Sequence, residues 1–161
     1  MSGGGGAMPS CAAVVVAAGR GERFGGDVAK QFLPLAGRPL FAHSLRLLAG
    51  LPFVRELVLV VPLGEGLPDE CRNDLEGLGR EITVVEGGAV RRQDSVANGL
   101  AALRGGWEVT LIHDAARPFP DAAAIGELAR RVAECGGGLL AAPSPDTVKL
   151  AGGDGFVGRT I

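Results

Sequence analysis

A chain of 161 residues with 47% hydrophobic and 21% charged content is long enough for one domain with a sizeable buried core, which excludes a disordered or coiled-coil reading. Its formal net charge of -2 excludes a protein that holds nucleic acid by counterion release, since that needs a clear excess of Lys and Arg. Any nucleotide bound here is expected to be a small molecule.

The first ten residues, MSGGGGAMPS, carry neither a basic start nor an apolar run and read as a flexible tail rather than a signal peptide. Residues 11–17 (CAAVVVA) have the continuous apolar character of a strand buried on both faces, the mark of a parallel sheet. A glycine-rich loop follows at once. Residues 40–49 (LFAHSLRLLA) place apolar side chains at helical spacing, and residues 56–62 (ELVLVVP) form a second buried strand closed by proline, which completes a βαβ unit. A short strand is expected at 82–85, a helix at 97–103, a strand at 109–113 and a helix at 121–135, with Asp121 as N-cap and the glycines 136–138 as its stop. The apolar run 139–142 is the next strand candidate. Segments 146–151 and 156–161 flank the turn-forming GGDG of 152–155, a hairpin signal.

Strands alternating with helices in this order predict an α/β sandwich with a mostly parallel sheet and right-handed crossovers. The expected division is a tail over 1–10, one α/β domain over 11–143 and a β-hairpin arm over 144–161 that stands off the domain and finds a partner subunit. No stretch reaches the roughly 18 uncharged apolar residues of a membrane helix, so a soluble protein is expected. Cys11, Cys71 and Cys135 stand far apart with no CxxC pair, which indicates neither a zinc site nor a disulfide framework. Buried thiols in a reducing cytoplasm are the expectation.

Three segments carry candidate chemistry. In VVVAAGRGERFGGDVAKQF (14–32), a loop rich in Ala and Gly beyond a parallel strand lets backbone N–H groups approach phosphate oxygens, and Arg20, Arg23 and Lys30 add positive charge. The plainer reading is a tight turn with solvated arginines. The dinucleotide fingerprint GxGxxG fails, because after Gly19 and Gly21 the third glycine position holds Phe24, and GxxxxGK[ST] does not occur. In LIHDAARPF (111–119), Asp114 ends an apolar strand at the same sheet edge, where it could hold a divalent cation bridging phosphates, with Arg117 beside it; the plainer reading is an Asp that caps the turn and pairs with Arg117. In EGGAVRRQDSVANGL (86–100), Gly87 and Gly88 give backbone freedom, Asp94 or Ser95 can cap a helix, and the Ser95 hydroxyl can reach a base or ribose. Arg91 and Arg92 read equally well as surface charge.

The order AAGRGERF, AKQFLPLAGRPL, GG…RQDSV, HDAARP and AAPSPDTVK, from Ala12 onward, closely resembles the 2-C-methyl-D-erythritol 4-phosphate cytidylyltransferases of the non-mevalonate isoprenoid pathway. The glycine loop and KQ are shared with other nucleotidyltransferases; HDAARP with RQDSV and APxxDTxK is more specific. The resemblance implies a three-layer α/β sandwich with a Rossmann-like sheet of the nucleotide-diphospho-sugar transferase type, and a homodimer joined through the arm. It implies CTP and 2-C-methyl-D-erythritol 4-phosphate as substrates and Mg²⁺ as cofactor. Ala17, Ala18, Gly19, Gly21 and Ala115 are implied in nucleotide binding, and Gly87, Gly88 and Ser95 in cytosine and ribose contacts. Arg23 and Lys30 match the pair that stabilises triphosphate charge, and Asp114 the carboxylate near Mg²⁺ and ribose. Asp114, Arg117 and Thr147 are implied in binding the methylerythritol phosphate, Thr147 in the neighbouring subunit's site.

Two departures stand out. Val16 occupies a position where many relatives have Pro, and GGAVRRQDSV is one residue longer than the common spacing if Arg91 is the family's arginine. The family also continues past the arm into an Asp-Arg motif, a TPQ segment and a final basic residue that are absent here, which implies an incomplete substrate site and exposed apolar surface. The alternatives are an inactive fragment that binds CTP without turnover and a related sugar-phosphate nucleotidyltransferase; the failed GxGxxG argues against a nicotinamide-dependent dehydrogenase.

Overall fold

In the computed structural model of the chain, the described residues are 7–19 and 29–161. The β-branched run at the start forms strand β1 (Cys11–Val16), and its neighbours are β4 (Val54–Val61) on one side and β6 (Val109–Asp114) on the other, both parallel to it. Strand β5 (Thr83–Glu86) extends the sheet beyond β4, giving the order β5-β4-β1-β6. The strand order reverses at β1, because the chain moves outward through β4 and β5 and then returns to β1's other edge as β6. A ligand crevice is expected at such a reversal, beyond the carboxyl ends of the central strands.

Helices cover both faces, so the three-layer α/β sandwich is observed. On one face Cys11, Ala13 and Val15 meet Leu57, Leu59 and Val61 under Phe41, Leu45 and Leu48 of α1 (Leu40–Gly50) and Ile125 and Ala129 of α4 (Ala122–Cys135). Each fully buried Phe or Leu on this face contributes about 2 kcal/mol through removal of apolar surface from water. On the other face Val14, Val58 and Val60 lie under α3 (Arg92–Ala101). Gly99 makes that packing possible, since a Cβ there would stand 2.8 Å from Val60 Cγ2 and closer still to Val14 Cγ1. A short helix α2 (Arg72–Glu76) precedes β5. Just before α1, a tight hairpin pairs β2 (Pro34–Leu35) with β3 (Arg38–Pro39); Ala36 and Gly37 both have positive φ, as the tight turn requires.

The ends of α4 follow the sequence reading. Asp121 Oδ1 accepts from Ala124 N at 2.9 Å, and Gly136 closes the helix at φ 86. Helix α3 departs from it: the helix begins five residues before the expected 97, and neither Asp94 nor Ser95 caps it. Arg91 takes the N-cap position in an extended conformation, while Asp94 and Ser95 lie inside the first turn with their side chains bonded to Arg91 and Gly88. Acidic Asp94 is favourable there, near the positive end of the helix dipole. The expected strand at 139–142 is corrected as well. The segment is irregular, with Leu139 77% and Leu140 51% exposed, because an apolar run becomes a strand only where a ladder partner lies alongside and none does among the described residues.

The arm is an antiparallel hairpin of β7 (Lys149–Ala151) and β8 (Val157–Thr160), turned by Gly155 at φ 82. Every residue from 133 to 161 is exposed. Val148, Leu150, Phe156, Val157 and Ile161 are among them, so the hairpin presents more apolar surface than its turn-rich sequence suggests. Just before β1, Pro9 is buried and Ser10 Oγ donates to Glu108 Oε2 at 2.9 Å, which anchors the last residues of the expected tail.

At the amino end of the sheet, Glu56 accepts from Trp107 Nε1 at 2.6 Å and from the backbone N–H groups of Arg104 at 2.9 Å and Gly105 at 3.3 Å. Burial pushes the Glu56 carboxyl up, but these donors and the Arg104 charge together outweigh it and hold the group below the usual carboxylate range. Glu56→Gln should therefore cost about 2 kcal/mol at neutral pH, since hydrogen bonds to a charged acceptor are among the stronger ones. Because the folded-state pKa is depressed, the wild-type advantage is complete above the ordinary glutamate value of about 4.3 and fades as pH falls through the lower folded value. Urea melts of both proteins at pH 7 and near pH 3.5 check this; an unchanged gap at the lower pH would contradict it.

Candidate nucleotide-binding site

Strand register brings the candidate segments to one edge. Asp114 is paired with Val16, and Val61 with Glu86, so β1, β6 and β5 all end at the same side of the sheet. Three ladder-continuing bonds carry the chain past the strand ends: Ala17 N to Val60 O (2.7 Å), Gly87 N to Val61 O (2.8 Å) and Ala115 N to Val16 O (3.0 Å). Ala17 and Ala115 are buried, and the loops beginning there are held in place by sheet hydrogen bonds before any side chain acts.

Lys30 opens the 3-10 turn Lys30–Phe32 and is half-buried. Its neighbour Gln31 is buried and donates from Nε2 to both Ala17 O (2.5 Å) and Gly19 O (2.8 Å). Gln31 thus stitches the lysine-bearing turn to the loop after β1. Since a trans peptide sets its N–H opposite its C=O, fixing Ala17 O toward Gln31 directs the Ala18 N–H the other way. Sequence reading noticed the KQ pair but gave the glutamine no task. Nothing in the residue order marks its partners, which are carbonyls 14 and 12 residues earlier.

Gly87, Gly88, Ser95 and Ala18 form a close cluster. Gly88 N donates to the buried Ser95 Oγ at 3.0 Å. A Cβ on Gly87 would stand 2.5 Å from Ala18 Cβ and 2.6 Å from Ser95 Oγ, so the approach of the two loops depends on glycine at this position.

Asp114 is partly exposed and lies between two guanidinium groups. Arg92, at the start of α3, donates from Nη2 at 2.6 Å and Nε at 2.9 Å to Oδ1, and Arg117 Nε stands 3.4 Å from Oδ2. The expected Asp114–Arg117 pair is therefore present, with Arg92 as a third member that the sequence left as surface charge. Arg91 does behave as surface charge, pairing with Asp94 within its own helix. Exposed ion pairs of this kind contribute only about 0–1 kcal/mol to stability, so the arrangement matters more for the positive charge it gathers at a strand tip.

The structure brings together Ala17, Ala18, Gly19, Lys30, Gly87, Gly88, Ser95, Asp114, Ala115 and Arg117 at the carboxyl edge. Arg20, Gly21 and Arg23 lie outside the described residues. Thr147 is exposed, two residues before β7, in the segment that the single chain leaves uncovered.

Comparison with known proteins settles the family. The family model described as IspD, 2-C-methyl-D-erythritol 4-phosphate cytidylyltransferase, matches residues 11–161. The chain belongs to this family. The relative of that name from Pelotomaculum thermopropionicum is 43% identical over 155 residues, which cover 96% of this chain and 65% of that protein. A bifunctional IspD/IspF enzyme from Anaeromyxobacter dehalogenans is 45% identical over 150 residues, 92% of this chain and 36% of the relative. Among solved structures, the 4-diphosphocytidyl-2C-methyl-D-erythritol synthase of Anaerococcus prevotii superposes with a TM-score of 0.76 over 96% of this chain and 65% of that one, at 24% identity, and shows the shared fold. The IspD-family chain thus spans less than two thirds of the length of the relatives it matches first.

Proposed function

We propose that this IspD-family chain carries the CTP-binding core of an enzyme that transfers the cytidylyl group to 2-C-methyl-D-erythritol 4-phosphate. An oxygen of the substrate phosphate attacks the α-phosphorus of CTP; the new P–O bond forms as the α–β bridge breaks, and pyrophosphate leaves with 4-diphosphocytidyl-2-C-methyl-D-erythritol as product. The observation that supports this reading best is the convergence, at one reversal of strand order, of a backbone-lined loop, a glycine and serine cluster and a strand-end acid flanked by arginines. No covalent enzyme intermediate is needed, so positioning and charge stabilisation are the protein's task.

In this reading the backbone of Ala17, Ala18, Gly19 and Gly21 cradles the triphosphate, with Ala115 beside the end of β1. Gly87, Gly88 and Ser95 face the cytosine and ribose, and Lys30 and Arg23 meet the charge that develops during transfer. Asp114 and Arg117 serve the second substrate. Asp114 is the strand-tip carboxylate that would hold Mg²⁺ together with phosphate oxygens, in competition with Arg92 and Arg117, which engage both its oxygens in the free chain. Among the described residues no group of three His, Cys, Asp or Glu side chains could cage a metal. When bound, the ion would neutralise phosphate charge.

The exposed apolar arm favours a second copy of the chain as its cover, with Thr147 of one subunit reaching the other's site. Among the described residues no helix is long and apolar enough to cross a membrane. The deciding measurement is pyrophosphate release from CTP, ATP, GTP and UTP, each with and without methylerythritol phosphate. Release with CTP that depends on the second substrate is expected. CTP binding without release would favour a binding module, and turnover with another nucleotide would displace the cytidylyl reading.

A further inference from the structure

Helix α1 is apolar along its buried face except at Ser44, which is fully buried. Its hydroxyl donates to Arg117 O at 3.0 Å, and the same carbonyl lies 2.9 Å from His113 Nε2, which is itself 3.1 Å from Ser44 Oγ. A carbonyl only accepts, so the imidazole proton must sit on Nε2, which is shared between Arg117 O and Ser44 Oγ. Arg117 N in turn donates to Asp114 O at 3.0 Å. The four-residue turn that carries Asp114 and Arg117 is therefore closed internally by one hydrogen bond and fastened externally, at a single carbonyl, by two side chains from different elements.

The preceding residue of α1 does similar work on its other neighbour. His43 Nε2 donates to Leu35 O at 2.8 Å in the β2–β3 hairpin, and the His43 ring meets Phe119 edge-on with centroids 5.9 Å apart. That hairpin continues directly from the lysine-bearing turn, with Leu40 N donating to Leu33 O and the rings of Phe32 and Phe41 in edge contact at 5.8 Å. Two consecutive polar residues of α1 thus register the turn 114–117 against the segment that follows Lys30.

We infer that Ser44 and His113 are positioning residues for the reaction: through Arg117 O they hold the turn that carries Asp114 and Arg117 in the geometry that receives the second substrate, its phosphate at the Arg117 guanidinium. The inference rests on the proposed cytidylyl transfer. Neither residue touches the reacting atoms, and a hydroxyl buried on an apolar helix has no other evident purpose, since Ala would pack there without needing a partner. Misplacement of a binding turn by a fraction of an ångström weakens a substrate held by geometry far more than it weakens the fold.

The test uses the whole chain and the variants Ser44→Ala, His113→Leu and His113→Gln, with steady-state kinetics for both substrates, melting temperatures, and ¹⁵N spectra of the backbone and imidazole. Ser44→Ala and His113→Leu should each raise KM for methylerythritol phosphate ~10-fold while KM for CTP stays within about twofold. His113→Gln, whose amide nitrogen can replace Nε2 as donor, should recover most of the loss. In the wild type the imidazole spectrum should show Nε2 as the protonated nitrogen, and amide signals of 115–119 should move in Ser44→Ala. Equal loss for both substrates, no loss in either disrupting variant, or no recovery with Gln would overturn the positioning role. If the wild type does not turn over, the cytidylyl reading fails, and the clamp stands or falls on the spectra alone: unmoved signals for 115–119, or an Nδ1-protonated ring, would sink it.

Discussion

Lys30→Ala is expected to lower cytidylyl transfer by ~10²–10³-fold while the protein remains folded. The size follows from the chemistry. Negative charge spreads over the α-phosphate and the departing pyrophosphate as the bridge breaks, and a fixed cation beside that charge is worth several kcal/mol where water is excluded. The expected preservation of the fold follows from the neighbour: Gln31, not Lys30, makes the two bonds that fasten the turn to Ala17 O and Gly19 O, and Phe32 packs on Phe41. Lys30→Arg should recover only part of the activity, because a planar guanidinium keeps the charge but not the compact point geometry of an ammonium. Pyrophosphate release at saturating CTP, measured beside thermal melts, gives the answer. An alanine variant that retains turnover within a factor of about three would remove Lys30 from the chemistry.

Gly87→Ala is expected to weaken CTP binding at least ~30-fold with a much smaller effect on stability. The added methyl has nowhere to go, since it would meet Ala18 Cβ at 2.5 Å and Ser95 Oγ at 2.6 Å, and neither is the far end of a flexible side chain. Relief requires the loop after β5 to move away from the loop after β1, which also strains the Gly88 N to Ser95 Oγ bond. Those two loops are the walls of the proposed nucleotide crevice, whereas the sheet beneath them is held by ladders that the change does not touch. Titration of CTP by calorimetry compares the two proteins. Wild-type affinity in Gly87→Ala would mean that the nucleotide does not lie between these loops.

Much of this molecule is legible in its residue order. Continuous apolar runs such as CAAVVV and ELVLVV announce strands covered on both faces, because only a parallel sheet between helix layers can bury every side chain of a strand. Asp121 and the glycines after Cys135 mark the ends of α4 for equally local reasons. Where a motif is spelled by contiguous residues, as in HDAARP, its place at a strand tip can also be foreseen.

What the residue order left open were matters of partnership. Residues 139–142 are as apolar as a strand, yet whether they join a sheet depends on a neighbouring ladder and not on their own composition. Arg91 and Arg92 are the same residue side by side; the extended N-cap conformation sends Arg91 to Asp94, whereas Arg92, the first residue of α3, reaches across to Asp114. Gln31 and Ser44 look unremarkable in one dimension because their hydrogen-bond partners are backbone carbonyls distant in sequence, and a carbonyl leaves no trace in the identity of the residue that carries it. Local preferences and the burial of apolar runs were therefore determined by the sequence itself, whereas the pairing of polar groups across separate segments was decided only when the sheet brought those segments to a common edge.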